Sequence, residues 1–292
     1  SFNQMDDPAK QFPFVRVWGT VGWIVAGLVI SFVFKWDSIE NIGKGMLSNT
    51  FLMVAIASAI LGLFSFTLPK TPPSRGKEEE VKLSDILGLD ALNLLKDRNF
   101  LIFFLASVLI CIPLAFYYQN ISPYLTEYKV ENSTAWASLG QMSEVLFMLL
   151  LPFFFKKYGF KKTILFGMLA WTIRYLLFAY GNAGELFFMI IIGIALHGIC
   201  YDFFFVSGQI YTDSKAGEKV KSAAQGLITL ATYGVGMLVG FWVAGQIVDQ
   251  NLIGEGLHSW KDIWVFPSIF AAVVLLLFAL LFKNETVEYK DS

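Results

Sequence analysis

Charge is scarce in this sequence. Only 15% of its 292 residues are Asp, Glu, Lys or Arg, and the formal net charge is −1. With no basic arm or basic patch interleaved with aromatics, a nucleic-acid partner is not expected. Its two cysteines, Cys111 and Cys200, both fall inside apolar runs, which excludes a loop-placed disulfide framework and predicts free thiols used for packing. The two histidines, His197 and His258, stand far apart in the chain, so no metal cluster and no cofactor are expected. The sequence contains no HExxH, no GxSxG and no paired aspartates at membrane depth, so an enzyme is not expected either.

Apolar residues fill the space that charge leaves. They make up 56% of the chain, 29 of them Phe, and the mean hydropathy is +0.60, a balance foreign to a water-soluble globule of this size. A hydrocarbon core needs about 20 apolar residues per helix, and eight runs meet that length: Phe12–Phe34, Leu47–Leu68, Phe100–Ile121, Trp136–Phe155, Thr163–Tyr180, Leu186–Tyr211, Ala223–Val248 and Ile263–Phe282. The expected fold class is therefore all-α, a multi-pass protein whose main partner is the lipid bilayer. Basic residues set its orientation. Loops on one side carry 17 Lys and Arg, and loops on the other carry four, Lys35, Lys44, Lys129 and Lys261. Both ends of the chain are thus expected on the cytoplasmic side.

The longest loop, Pro69–Arg98, contains PKTPPSRGKEEEVK and reads as a solvated linker. It divides residues 1–68, with two spans, from residues 99–292, with six. After it LSDILGLDALNLLK predicts a short interfacial helix capped by Ser84. The glycine-rich stretches RVWGTVGWIVAG and AAQGLITLATYGVGMLVG stand at matching places before the linker and before the terminus. They predict a repeat of two six-span halves, with four spans preceding Ser1. Glycines that only allow close packing would explain each stretch alone.

Ionisable side chains inside a span cost roughly 3 kcal/mol on insertion scales, so each is a functional candidate. Gln141 and Glu144 are three apart and share a helical face near mid-membrane, fit to bind one polar ligand or a proton, or else only a neighbouring helix. Arg174 and Asp202 lie at similar depths on consecutive spans, roughly 16 and 14 Å from the same side at 1.5 Å per residue. That predicts an ion pair, either a static bridge or a switch worked by protonating the acid. His197 and Tyr201 share a face expected to line a cavity, while Asp202 points about 140° away. Arg16, Thr20 and Trp23, at i, i+4 and i+7, stack a cation, a hydroxyl and an aromatic plane. Arg16 could instead extend to the headgroups.

QFPFVRVWGTVGWI, LGLDALNLL, GQMSEVLFMLLLPFFFKKYGFKK, AWTIRYLLFAYG, YDFFFVSGQIY and SAAQG together resemble the bacterial nucleoside:proton symporters of the major facilitator superfamily, in matching order over nearly the whole chain. That resemblance implies eight helices of a twelve-helix fold in the bacterial inner membrane, a monomer carrying nucleosides and protons by alternating access around a central cavity. It implies substrate contacts at Arg16, Thr20, Gln141 and Glu144, with Trp23 on their stripe and His197 and Tyr201 at positions usually aromatic. It implies proton coupling at Asp202, with Arg174 and Glu144 beside it. The third span, CIPLAFYYQNISPYL, supplies Tyr118 and Gln119. RVWGTVGW also resembles the fifth helix of the lactose permease group, so a glycoside carrier is the competing expectation, followed by a non-transporting receptor of the same fold.

Overall fold

The computed structural model describes residues 8–69 and 89–285, and the side chains of 17–69, 89–216 and 220–285. The expected Ser84 cap lies outside the described residues, as does the linker up to residue 88. Leu89–Lys96, at the end of the linker, is a 3₁₀ helix, within the stretch expected to form a short helix. Its buried Ala91 packs with Ala216 and Ala224.

Ten α-helices succeed one another among the described residues: α1 Pro8–Leu28, α2 Ile39–Gly43, α3 Asn49–Ser65, α4 Arg98–Glu127, α5 Ser133–Tyr180, α6 Phe187–Ala195, α7 His197–Tyr201, α8 Ser207–Thr229, α9 Met237–Gln250 and α10 Trp260–Leu281. π-helical turns continue α1 at Val29–Phe34, α7 at Asp202–Val206 and α8 at Leu230–Gly236. A hairpin of β1 Leu252–Gly254 and β2 Leu257–His258, without a counterpart among the expected elements, joins α9 to α10.

Seven of the described helical stretches are long and apolar enough to cross a membrane, one fewer than expected. The difference lies in α5. At 48 residues it would be about 72 Å long if straight, more than twice a hydrocarbon core. It is broken at Gly159, whose φ of 75° and ψ of 174° are open only to glycine without strain. KKYGFKK is therefore the turn between two arms, and eight crossings stand. The chain also reverses within α8, where Gln225 Nε2 donates to the Gln209 carbonyl at 2.7 Å, a reach impossible across 16 residues of straight helix.

The last six crossings share one core. Tyr124, Tyr175, Phe178, Trp260 and Trp264 pack ring against ring within it, toward the end opposite the basic loops. Glycine permits the closest helix contacts. A methyl group on Gly236 would fall 2.8 Å from Cys111 Cβ, and one on Gly240 2.7 Å from Ala115 Cβ, so the seventh span lies directly on α4. Gly27 faces the Ser138 hydroxyl of α5, a side chain that can rotate, whereas Gly19, Gly22 and Gly226 have open space around them. Part of the glycine echo is thus plain packing. Every described residue of α3 except Thr50, Asn49 and Met53 is exposed, an apolar surface suited to lipid or another helix.

The two ends of the bundle differ. At the end of the basic loops Asp97 caps α4 by accepting from the Phe100 N–H at 2.9 Å, and Lys215 bridges Asp97 and Glu285 at 3.0 Å each. Lys161 there donates to the carbonyls of Ala279 and Phe282, a cation at the negative end of α10. At the other end Glu127, closing α4, accepts from the His258 backbone N–H and contacts its Nδ1, both at 2.8 Å. Asp37, fully buried after the first span, accepts from the Ser31 hydroxyl at 2.6 Å and the Thr134 N–H at 2.9 Å.

Candidate functional site

Most of the expected residues converge on the middle of the bundle. The N-terminal arm of α5 brings Gln141 and Glu144, both buried. α4 brings Tyr117 and Tyr118, the second arm of α5 brings Arg174, and α7 with its π turn brings His197, Tyr201 and Asp202. Contact between α7 and α5 is as close as backbones allow. A methyl on Gly198 would sit 2.5 Å from Ser143 C and O, and the Gly198 N–H donates to Ser143 Oγ at 2.9 Å. That crossing sets His197 and Glu144 on either side of one contact.

The expected Arg174–Asp202 bridge is not the hydrogen bond that Arg174 makes. Its Nη1 lies 2.9 Å from His197 Nδ1, and its guanidinium carbon sits 3.5 Å from the centroid of Tyr117, with Trp171 and Phe178 at 5.6 and 5.5 Å. Leu196 joins α6 to α7 in right-handed helical conformation, its N–H donating to the Ile192 carbonyl and its carbonyl accepting from the Cys200 N–H, so α7 continues the line of α6 and carries His197 to Arg174. Both are fully buried, as is Asp202, while Tyr201, on the same face as His197, is half-buried.

A guanidinium only donates. His197 Nδ1 therefore accepts, which makes the imidazole neutral and places its proton on Nε2. Among the described residues that Nε2 has no hydrogen-bond partner, and neither do the Tyr117 hydroxyl or Gln141 Oε1. The residues that bear them meet at Gly140: a methyl there would lie 3.1 Å from His197 Cβ and 3.3 Å from the Tyr117 hydroxyl, and Gln141 is the next residue. Residues bearing one donor, one acceptor and one hydroxyl thus come together beside a single glycine, with the rings of Tyr117, Tyr118 and Tyr201 centred 5.1, 6.1 and 5.8 Å from the imidazole.

Tyr118 and Tyr201 are half-buried, and the Tyr201 hydroxyl is hydrogen-bonded to that of Tyr233, from the π turn after α8. On α1 the Gly27–Ser138 contact fixes depth. Four and seven residues away at 1.5 Å each, Trp23 and Thr20 stand about 6 and 10 Å below it, level with Met142 and Val145 of the antiparallel arm. Thr20 is half-buried but Trp23 is exposed, so the stripe reaches the right depth without being enclosed. The Arg16 side chain lies outside those described. Tyr117, Tyr233 and Asp37 are not marked out by the sequence. Tyr117 is the nearest to legible, since it stands four residues after Pro113 beside Tyr118 in one of the few polar stretches of α4.

The arrangement has the form of a carrier site: polar groups at mid-membrane, an aromatic wall, and buried acids on two helices. Comparison with known proteins is in accord. The profile of the nucleoside H+ symporters matches residues 1–287. YegT of Escherichia coli (strain K12) is 41% identical over 99% of this chain and 68% of its own length, and the xanthosine permease of the same organism is 33% identical over 95% and 66%. The crystal structure of the nucleoside transporter NupG superposes with a TM-score of 0.73, and a substituted form of it with 0.77. Both are 29% identical and extend over 96% of this chain and about 70% of NupG. The chain thus belongs to the nucleoside H+ symporter family, with the all-α, multi-pass fold of the major facilitator superfamily and proton-coupled nucleoside transport as its function.

Proposed function

We propose that the nucleoside is held where Gln141, Tyr117 and His197 meet, and that its binding is coupled to a proton on the buried acids, Asp202 foremost. The observation that carries this reading is that Tyr117, Gln141 and His197, which meet at Gly140, each bear a buried polar atom with no hydrogen-bond partner among the described residues. Buried polar groups left unmade are costly, and a nucleoside offers donors and acceptors on its base and ribose to complete them. Tyr118 and Tyr201 supply ring faces for the base, and Glu144 lies one turn from Gln141. Arg16, Thr20 and Trp23 form the facing stripe on the first span.

Arg174 acts through His197. Its charge is permanent, and by holding Nδ1 it keeps Nε2–H available to a ligand acceptor. Asp202 heads the π turn one turn beyond His197, so a change in its charge is felt along α7. Alternating access would rock residues 1–68 against 99–292, importing nucleoside into a cell whose interior meets the basic loops and the C-terminus. The carrier would work as a monomer surrounded by lipid. NupG and the xanthosine permease carry nucleosides by name, and the glycoside and receptor readings have no comparable support.

Uptake of radiolabelled uridine by the natural protein, with and without a proton uncoupler, tests the reading. Accumulation abolished by the uncoupler is expected, and uncoupler-insensitive accumulation would sink proton symport. For Asp202→Asn the expected outcome is retained exchange of bound uridine with failed accumulation. Normal accumulation would remove Asp202 from coupling.

A further inference from the structure

Asp37 is fully buried in the turn that ends the first span, and its interactions run to a helix nearly a hundred residues away. Oδ2 accepts the Ser31 hydroxyl and the Thr134 N–H, and the Ser31 oxygen in turn accepts the Ala135 N–H at 2.9 Å. Two of the orphan N–H groups that open α5 are thus satisfied from the π turn and loop that end the first span. Its own N-cap residue, Asn132, makes no side-chain cap bond and sits at φ 57°. One turn further in, Gly27 lies against the Ser138 hydroxyl. A carboxylate at the positive end of a helix is favourable, yet Asp37 Oδ1 is buried with no hydrogen-bond partner among the described residues. Burying that charge offsets much of the attraction. Opening would give water to every group involved, so the junction is suited to breaking and remaking.

We propose that Asp37 is a positioning residue of the transport cycle, a clasp that fastens the first span to the start of α5 and shuts the pathway at the end opposite the basic loops. The same two helices carry the Thr20–Trp23 stripe and the Gln141–Glu144 pair, so releasing the clasp lets those faces part toward the outside. The inference rests on the orientation given under Proposed function and adds to it the residue that closes the outer mouth.

Ala137→Cys places a reporter on the Gln141 face, one turn nearer the clasp. Its labelling by a membrane-impermeant maleimide is measured in intact cells and in inverted vesicles, using the natural protein with Asp37 intact or replaced. Asp37→Ala should raise labelling several-fold in intact cells and lower it in inverted vesicles. Asp37→Asn, whose amide oxygen still accepts both bonds, should do so less. Ser31→Ala removes one hydroxyl and should act in the same direction, and it carries the test should Asp37→Ala fail to reach the membrane. Labelling unchanged, raised from both sides as in a general loosening, or raised only in inverted vesicles would overturn the proposal. Uridine uptake with Asp37 intact is read alongside, so that failure of the transport reading is seen separately from failure of the clasp.

Discussion

His197 links a permanent cation to the candidate ligand site with its two ring nitrogens. Nδ1 takes the Arg174 hydrogen bond at 2.9 Å, and Nε2–H is left for an acceptor. Replacing it by Phe keeps the aromatic stack on Tyr117 but removes both functions. The net value of one such hydrogen bond is about 1 to 1.5 kcal/mol, on the order of tenfold in affinity. His197→Phe should therefore raise the uridine KM about tenfold, and an unchanged KM would place Nε2–H outside the site. Arg174→Lys is expected to cost more. A compact, strongly hydrated ammonium cannot replace a planar guanidinium lying 3.5 Å above Tyr117. Uptake should fall by more than tenfold while the protein still inserts, and near-normal uptake would reduce Arg174 to a bystander.

At the scale of elements the bundle depends on a few glycine contacts. Gly198→Ala would drive a methyl to 2.5 Å from the Ser143 backbone, where no flexible side chain can move aside, so α7 must shift and take His197 with it. Gly226→Ala meets open space. The first should depress uridine uptake severalfold, and the second should leave it within twofold of normal. Equal effects would show that the α7–α5 crossing does not position the site. Asp97 makes a different kind of element contact. Burial alone would raise its carboxyl, but the Phe100 N–H and the Lys215 ammonium outweigh burial and hold it below the usual carboxylate range. A depressed folded-state pKa stabilises above the unfolded value near 4 and is lost as pH falls through the folded one. Thermal stability in detergent should thus decline below about pH 4, and less steeply in Asp97→Ala, whose Tm at neutral pH should already be lower. Span number and order were legible in the sequence because length against bilayer thickness and charge in loops are local properties. The arms on either side of Gly159 were read as separate spans for that reason. Partner choice was not legible. That Arg174 hydrogen-bonds His197 depends on how its helix is rotated against α7, which has no composition signature. Asp37 went unread because caps are sought next to the helix they serve, and this one arrives from 97 positions upstream.

For the whole molecule, coupling means that proton and nucleoside bind to one linked system, and linkage is reciprocal. The candidate nucleoside groups and the buried acid are on neighbouring parts of the same helices: His197 opens α7, Asp202 opens the π turn directly after it, and Gly198 locks both to the arm bearing Gln141 and Glu144. Binding that shifts α7 therefore changes the surroundings of Asp202, and the free energy of the one event must appear in the other. Calorimetric titration of the purified carrier with uridine, in two buffers of different ionisation heat, reads this directly as protons taken up on binding. Net uptake is expected near the pH at which the acid is partly protonated, accompanied by tighter uridine binding at lower pH. In Asp202→Asn the uptake should vanish and the affinity should lose its pH dependence. Should the uptake persist in that variant and disappear instead in Glu144→Gln, the coupling proton belongs to the α5 arm, and the His197–Asp202 helix serves the nucleoside alone.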